Sequence, residues 1–267
     1  MRADQTTMPR DAHGYRLPSE AEWEFACRAG TTSKYWIGNR DEELNGAEWY
    51  EGNAAGRTHA VGEMKRNPFG LYDIQGNVGE YVQDSWEPSW YGRFQNQLAI
   101  DPLCPSTADS RCVIRGGYWR YNASNSRSAY RYGGIPTSRG PEVGFRAALS
   151  VEAVKQLLTQ KSSKKPNPAI APFDAKQARE HQEAWAKHFG VPVEYTNSIG
   201  MKFVLIPKGT FTMGSPPDEE NSKDEERQHQ VTLSHDFFMG IYEVSQSEFQ
   251  TVIGTNPSIF QGSRVAQ

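Results

Sequence analysis

The stretch RGGYWRYNASNSRSAYR, residues 115–131, holds four arginines and four aromatic residues with no acid among them. Guanidinium groups and aromatic faces at this density suit a groove for an acidic or carbohydrate ligand, a nucleic-acid strip, or a scaffold of buried ion pairs. A second cluster, DIQGNVGEY at residues 73–81, sets Asn77, the Val78 carbonyl and Glu80 on one tight turn. Hard oxygen donors so placed suit Ca2+. The plainer alternative gives Asn77 a left-handed backbone and leaves Glu80 in solvent. Asn53 and the Ala55 carbonyl in EWYEGNAAGRT offer a second calcium site, although GN is equally an ordinary turn there.

Three cysteines make no disulfide framework. Cys104 and Cys112 bracket the loop CPSTADSRC, where a local bridge is sterically feasible and would point to an extracytoplasmic, oxidising compartment. Two unrelated thiols is the other reading. Cys27 lies in EWEFACRAG, a helical pattern in which a buried free thiol is the default. His181 and His188 share a helix face without a third ligand, and His229 and His235 flank a short strand with no evident constellation. No phosphate loop, nucleophile elbow or hydrolase triad is visible.

These residues need elements to position them. RLPSEAEWEFACRAG predicts a helix with Ser19 as N-cap, Glu22 completing a capping box and Gly30 as the stop. Short segments punctuated by glycine and asparagine follow, ending in the extended runs CVIRGGYW and VGFRAAL. Residues 159–172, TQKSSKKPNPAIAP, read as a linker without core-forming residues. A second capped helix runs from Asp174 to Gly190, then strands, then a third from Ser245 to Gly254. The acid-rich PDEENSKDEER between those strands reads as a solvated loop.

The 267 residues allow one large domain or two small ones. A net charge of -3 gives no general pull toward nucleic acid or anionic lipid, so no nucleic-acid partner is expected. No apolar run reaches the roughly 18 residues of a membrane span. The opening MRADQTTMPRDAHG lacks the apolar centre of a signal peptide.

Six segments carry a resemblance. YRLPSEAEWEFACRAGT, NPFGLYDIQGNVGEYVQD, VIRGGYW, VGFRAAL, NSIGMKFVLIPKGTFTMGS and VTLSHDFFMGIYEVSQSEF together resemble the formylglycine-generating enzyme (sulfatase-modifying factor) family. The resemblance implies an irregular α+β fold, similar to C-type lectins, with little regular secondary structure. It also implies an order opposite to the one found. Residues 1–158 resemble the C-terminal part of a module, 159–196 form a linker and helix, and 197–267 resemble the N-terminal part. A piece of a tandem array explains this best, with a neighbouring module as partner; a circular permutant is the alternative.

Family oxidases hold copper on a C-x4-C pair that begins four residues after the second glycine of a Gly-Gly. Counting from Gly117, the equivalent positions are Tyr121 and Ser126, and no cysteine follows Cys112. Hydroxyls do not replace soft thiolates for Cu(I), so copper and formylglycine formation are not expected. The expected function is a calcium-stabilised binding or accessory module; a divergent oxidoreductase acting within a multi-module protein is the alternative. By resemblance, residues 115–131 line the substrate groove. Trp119, Tyr121, Ser126, Arg127 and Arg131 are then the residues to hold a peptide or other ligand. For the arginines, burial in ion pairs is the favoured reading over ligand contact, with Arg115 and Arg131 as anchors; for Trp119 and Tyr121 the two readings stand level. The resemblance also implies calcium at Asn77, Val78 and Glu80, while Gly79 stands where the family usually has tryptophan, a departure expected to loosen the turn.

Overall fold

The computed structural model describes residues 14–105, 111–137, 140–158 and 165–256. The opening segment read against a signal peptide falls almost wholly outside them. The architecture is α+β, with short strands, few helices and long irregular connections.

Helix α1 (Glu20–Arg28) starts as its capping box dictates: Ser19 accepts the Glu22 amide, and the Glu22 carboxylate accepts the Ser19 amide. Ala29 and Gly30 leave it through left-handed backbone. All nine residues of α1 are buried, including Glu20, Glu22, Glu24 and Arg28. A helix with four buried charges needs partners for each, and the rest of the chain supplies them.

The first sheet joins β1 (Gly79–Ser85), β3 (Cys112–Arg115), β4 (Arg131–Gly134) and β5 (Val143–Gly144) in the order β4-β3-β1-β5. The second joins β2 (Ala99–Ile100), β7 (Ala169–Ile170), β10 (Gly209–Met213) and β11 (His229–Leu233) in the order β2-β11-β10-β7. The third holds β6 (Ala148–Ser150), β8 (Glu194–Thr196), β9 (Lys202–Ile206) and β12 (Phe237–Gly240) in the order β6-β12-β9-β8. Two of the sheets therefore mix strands from both ends of the chain. β12 lies between β6 and β9, with Phe238 opposite both Leu149 and Leu205. The apolar residues Phe203, Leu205, Phe237 and Phe238, which need covering, are all buried by this pairing.

Residues 165–196 differ from a coreless linker. Ala169 is fully buried in β7, where it pairs with Gly209. The Phe173 amide donates to the Gly30 carbonyl. Helix α3 (Ala175–Phe189) begins on the Asp174–Gln177 capping box and ends on left-handed Gly190, as its sequence predicts. Its Trp185 is fully buried, and Gln182 donates to the carbonyls of Phe69 and Leu205, both at 2.9 Å. One amide side chain thus bridges the two ends of the chain. Proline and lysine made this stretch read as a tether, but alternate apolar positions give it a packed face. Helix α2 (Val151–Leu158) packs beside it, and α4 (Gln246–Ile253) carries the expected Ser245–Glu248 capping box.

Candidate functional site

The first sheet sorts its side chains by the two-residue period of a strand. On the inner face Glu80 lies opposite Arg115, which lies opposite Arg131. On the outer face Tyr81 lies opposite Ile114, which lies opposite Tyr132.

The inner face is an ion-pair lattice. Arg131 grips Glu20 through two nitrogens, both at 2.7 Å. Arg115 binds Glu24 at 2.5 Å and donates to the carbonyls of Ser128 and Ala129. Arg127 reaches residues far along the chain, binding Glu226 at 2.6 and 2.9 Å and Glu219 at 2.9 Å. Burial pushes the Glu20 carboxyl up, but the Arg131 and Arg115 guanidiniums overcome it and hold Glu20 below the usual range. The three arginines are fully buried. This corrects the assignment of Arg127 and Arg131 to a ligand: their donors face protein acceptors. It also removes the cationic basis for an acidic ligand. Glu219 and Glu226 lie in the acid-rich segment read as solvated, and it is Arg127 that draws them in.

Ser126 is buried as well. A Cβ at Gly117 would meet its Oγ at 2.8 Å and the Asn125 carbonyl at 2.7 Å, so the tight backbone approach here explains Gly117. Ser126 therefore packs behind the loop instead of facing a ligand. Trp119 is only 8% exposed, with the Arg120 guanidinium over its ring. Tyr121 stays half-buried, its ring tilted by 32° against that of Tyr118 with centroids 3.8 Å apart. Of the five predicted ligand residues, Tyr121 is the one the surface presents.

The calcium expectation meets an engaged donor set. Both Glu80 oxygens accept from Arg146 at 2.5–2.8 Å, and Trp23 Nε1 donates to one of them at 2.7 Å. Asn77 does take a left-handed backbone, and its Oδ1 accepts the His59 amide. Val78 sits in the same turn. Asn53 closes a local turn, accepting the Tyr50 amide and donating to the Glu48 carbonyl, while Ala55 is a left-handed turn residue. Among the described residues no cluster of three or more acidic, histidine or cysteine side chains could hold a metal. These residues as arranged do not fit Ca2+; a guanidinium occupies the Glu80 carboxylate.

Copper fares the same way on donor chemistry. Tyr121 and Ser126 are hydroxyls, and all three thiols are free with pKa values pushed up by burial, that of Cys104 to about 11. The Cys104–Cys112 bridge does not form. Ser85 runs between them, donating its amide to the Cys104 carbonyl while lying opposite Cys112 across β1 and β3. Two strand spacings of about 4.8 Å separate the cysteines, beyond the roughly 7 Å limit of a disulfide. The compartment therefore loses its one indicator.

The outer face forms a hollow of about 320 Å3, lined by Tyr81, Ile114, Tyr118, Tyr132, Gly134, Ile135, Glu142 and Val143. Tyr81 Oη donates to the Ile135 carbonyl at 2.8 Å. Tyr132 is held between Tyr130 and Tyr121, with centroids 5.8 and 6.0 Å away. Its hydroxyl has no partner and lies over Gly79, where a Cβ would stand only 2.7 Å from it. Gly79 therefore leaves no gap: Tyr132 and Ile114 fill the space a larger residue would claim. Glu142 on the rim is paired with Arg120. Sequence reasoning missed Tyr81, Tyr132 and Glu142, although the alternation of Glu80, Tyr81 and Val82 was a signal.

A further group escaped detection. His229 packs against Tyr91 and Phe94 beside Glu20 and Asp84, and burial lowers its pKa. Asp84 accepts the amides of Glu20 and Cys104, yet burial, reinforced by the Glu20 charge, pushes it up to about 7.

The chain belongs to a recognised family. The model of the sulfatase-modifying factor enzyme 1-like domain matches residues 3–151 and 188–265, and the chain belongs to that family. The formylglycine-generating enzyme of Thermomonospora curvata is 32% identical over 155 residues, 51% of this chain and 49% of that protein. The serine/threonine-protein kinase pkn1 of Chlamydia pneumoniae is 33% identical over 142 residues, 52% of this chain and 21% of that protein. Among solved structures, Treponema denticola variable protein 1 is 35% identical with a TM-score of 0.45, covering 50% of this chain and 47% of that one. The chain thus spans half or less of each relative. Among the described residues no helix is long and apolar enough to cross a membrane.

Proposed function

We propose that this chain is a ligand-binding member of its family that does not itself oxidise a peptide cysteine. The carrying observation is the thiol inventory: the positions counted from Gly117 are Tyr121 and Ser126, and Cys27, Cys104 and Cys112 are each pushed up by burial. A protonated thiol is a poor metal ligand and a poor nucleophile. The ligand's place is the outer face of the first sheet beside Tyr118 and Tyr121. The match to a kinase of which the shared region is a fifth supports use of this module as one part of a longer protein. We read the reversed order of segments as a piece of a tandem array, whose two partial modules close on each other. The test incubates the purified chain with a sulfatase-type cysteine peptide, with and without copper. Peptide mass should remain unchanged; conversion to formylglycine above a no-protein control would overturn the reading.

A further inference from the structure

A small cavity between the two ends of the chain is lined by polar groups whose hydrogen bonds are incomplete. It measures about 10 Å3, and Glu20, Asp84, Trp90, Tyr91, Met213 and His229 are among its walls. The first four belong to α1, β1 and the 3-10 turn Trp90–Phe94, the last two to β10 and β11. About 10–15 Å3 is the least that admits one water. The space therefore suits a single water and nothing larger.

Hydrogen-bond roles narrow the occupant further. His229 Nδ1 lies 3.0 Å from the Arg227 carbonyl, and a carbonyl only accepts, so Nδ1 carries the proton. Burial lowers the pKa of His229, which leaves the ring neutral at pH 7 and Nε2 a bare lone pair. That nitrogen has no donor, although His229 is only 5% exposed. The Tyr91 hydroxyl is in the same state on a residue 2% exposed: it lies near enough to Glu20 to help hold that carboxyl down, yet closes no hydrogen bond. Glu20 accepts from Arg131, and Asp84 from the amides of Glu20 and Cys104, which leaves each carboxyl further acceptor capacity. A water can donate to Nε2 and to a carboxyl oxygen while accepting from Tyr91. An anion would meet two carboxyl groups, and an ammonium ion has no lone pair for the hydroxyl.

We propose that this cavity is a binding site for one water, which donates to His229 Nε2, accepts from Tyr91 Oη and so ties β11 to the 3-10 turn. The site is separate from the ligand face of the first sheet. The test is NMR on the full isotope-labelled chain. Long-range proton–nitrogen correlation should show His229 protonated on Nδ1 alone. The water resonance should cross-relax with ring protons of His229 and Tyr91, with the sign of a long-lived bound molecule. Water oxygen-17 relaxation dispersion should lose about one long-lived water in His229→Phe. It should lose none in His235→Phe, at an exposed histidine. Should His229→Phe fold poorly, Tyr91→Phe removes only a hydroxyl and should lose the same water. An Nε2-protonated ring, no cross-relaxation with either residue, or an unchanged water count in the folded variants would overturn the proposal. So would a contact that appears only when ammonium is added. None of those outcomes touches the non-oxidising reading, which falls only if formylglycine is formed.

Discussion

Glu80 shows how burial changes the meaning of a residue. It is fully buried, and its carboxylate is matched to Arg146, whose guanidinium also donates to the carbonyls of Gly240, Ile241 and Tyr72. A pair so enclosed contributes little beyond an apolar pair of the same shape, but breaking one side leaves an uncompensated charge. Glu80→Ala should cost about 3–5 kcal/mol in denaturant unfolding, by the same amount in chelator and in calcium. A calcium-dependent loss would restore the metal site. Asp84 and Asp73 behave differently, because burial pushes them up to about 7 and about 6. Their unfolded values lie near 3.9. Raised carboxyls favour the folded state while protonated, so their contribution is complete below about pH 4 and lost as pH rises through 6 and 7. Melting temperature should therefore fall between about pH 4 and 7 and level off above that. Asp84→Asn should lower it throughout yet flatten that fall; an unchanged slope would show that Asp84 is not the titrating group.

At the scale of elements, helix α3 matters more than its place between the two matched segments suggests. Trp185 Nε1 donates to the Asn167 carbonyl, and its ring lies under Lys208 Nζ at 4.4 Å. The helix covers the third sheet, where β9 and β12 would otherwise expose Phe203, Leu205 and Phe238. Trp185→Ala should cost about 3–5 kcal/mol, as for a large aromatic removed from a core. The exposed Arg179, paired only with Glu183 one turn away, is the control and should change stability by less than about 0.5 kcal/mol when replaced by alanine. If both variants melt alike, α3 is a passive connection after all.

The whole molecule depends on contacts between its two ends. β6 pairs with β12, β2 with β11, and Arg127 with Glu219 and Glu226. A protease site inserted in residues 159–164 should therefore give fragments that stay together through size-exclusion chromatography after cleavage. Fragments that separate as folded monomers would contradict the shared sheets. The three capped helices were legible in sequence because a capping box closes within four residues. Tyr121 was found for its type, and its tyrosine neighbours were missed because strand register aligns them. Arg115, Arg127 and Arg131 could be named from sequence, but their carboxylate partners Glu24, Glu226 and Glu20 lie 91 to 111 positions away. Sequence alone determined the family, the missing thiols and the helix ends, all properties of residue type and short spacing. Only the tertiary structure decided that Glu80 meets Arg146, that Ser85 separates the two cysteines, and that residues 165–189 form part of the core. Those outcomes depend on which segments approach across long loops, and local spacing carries no record of that approach.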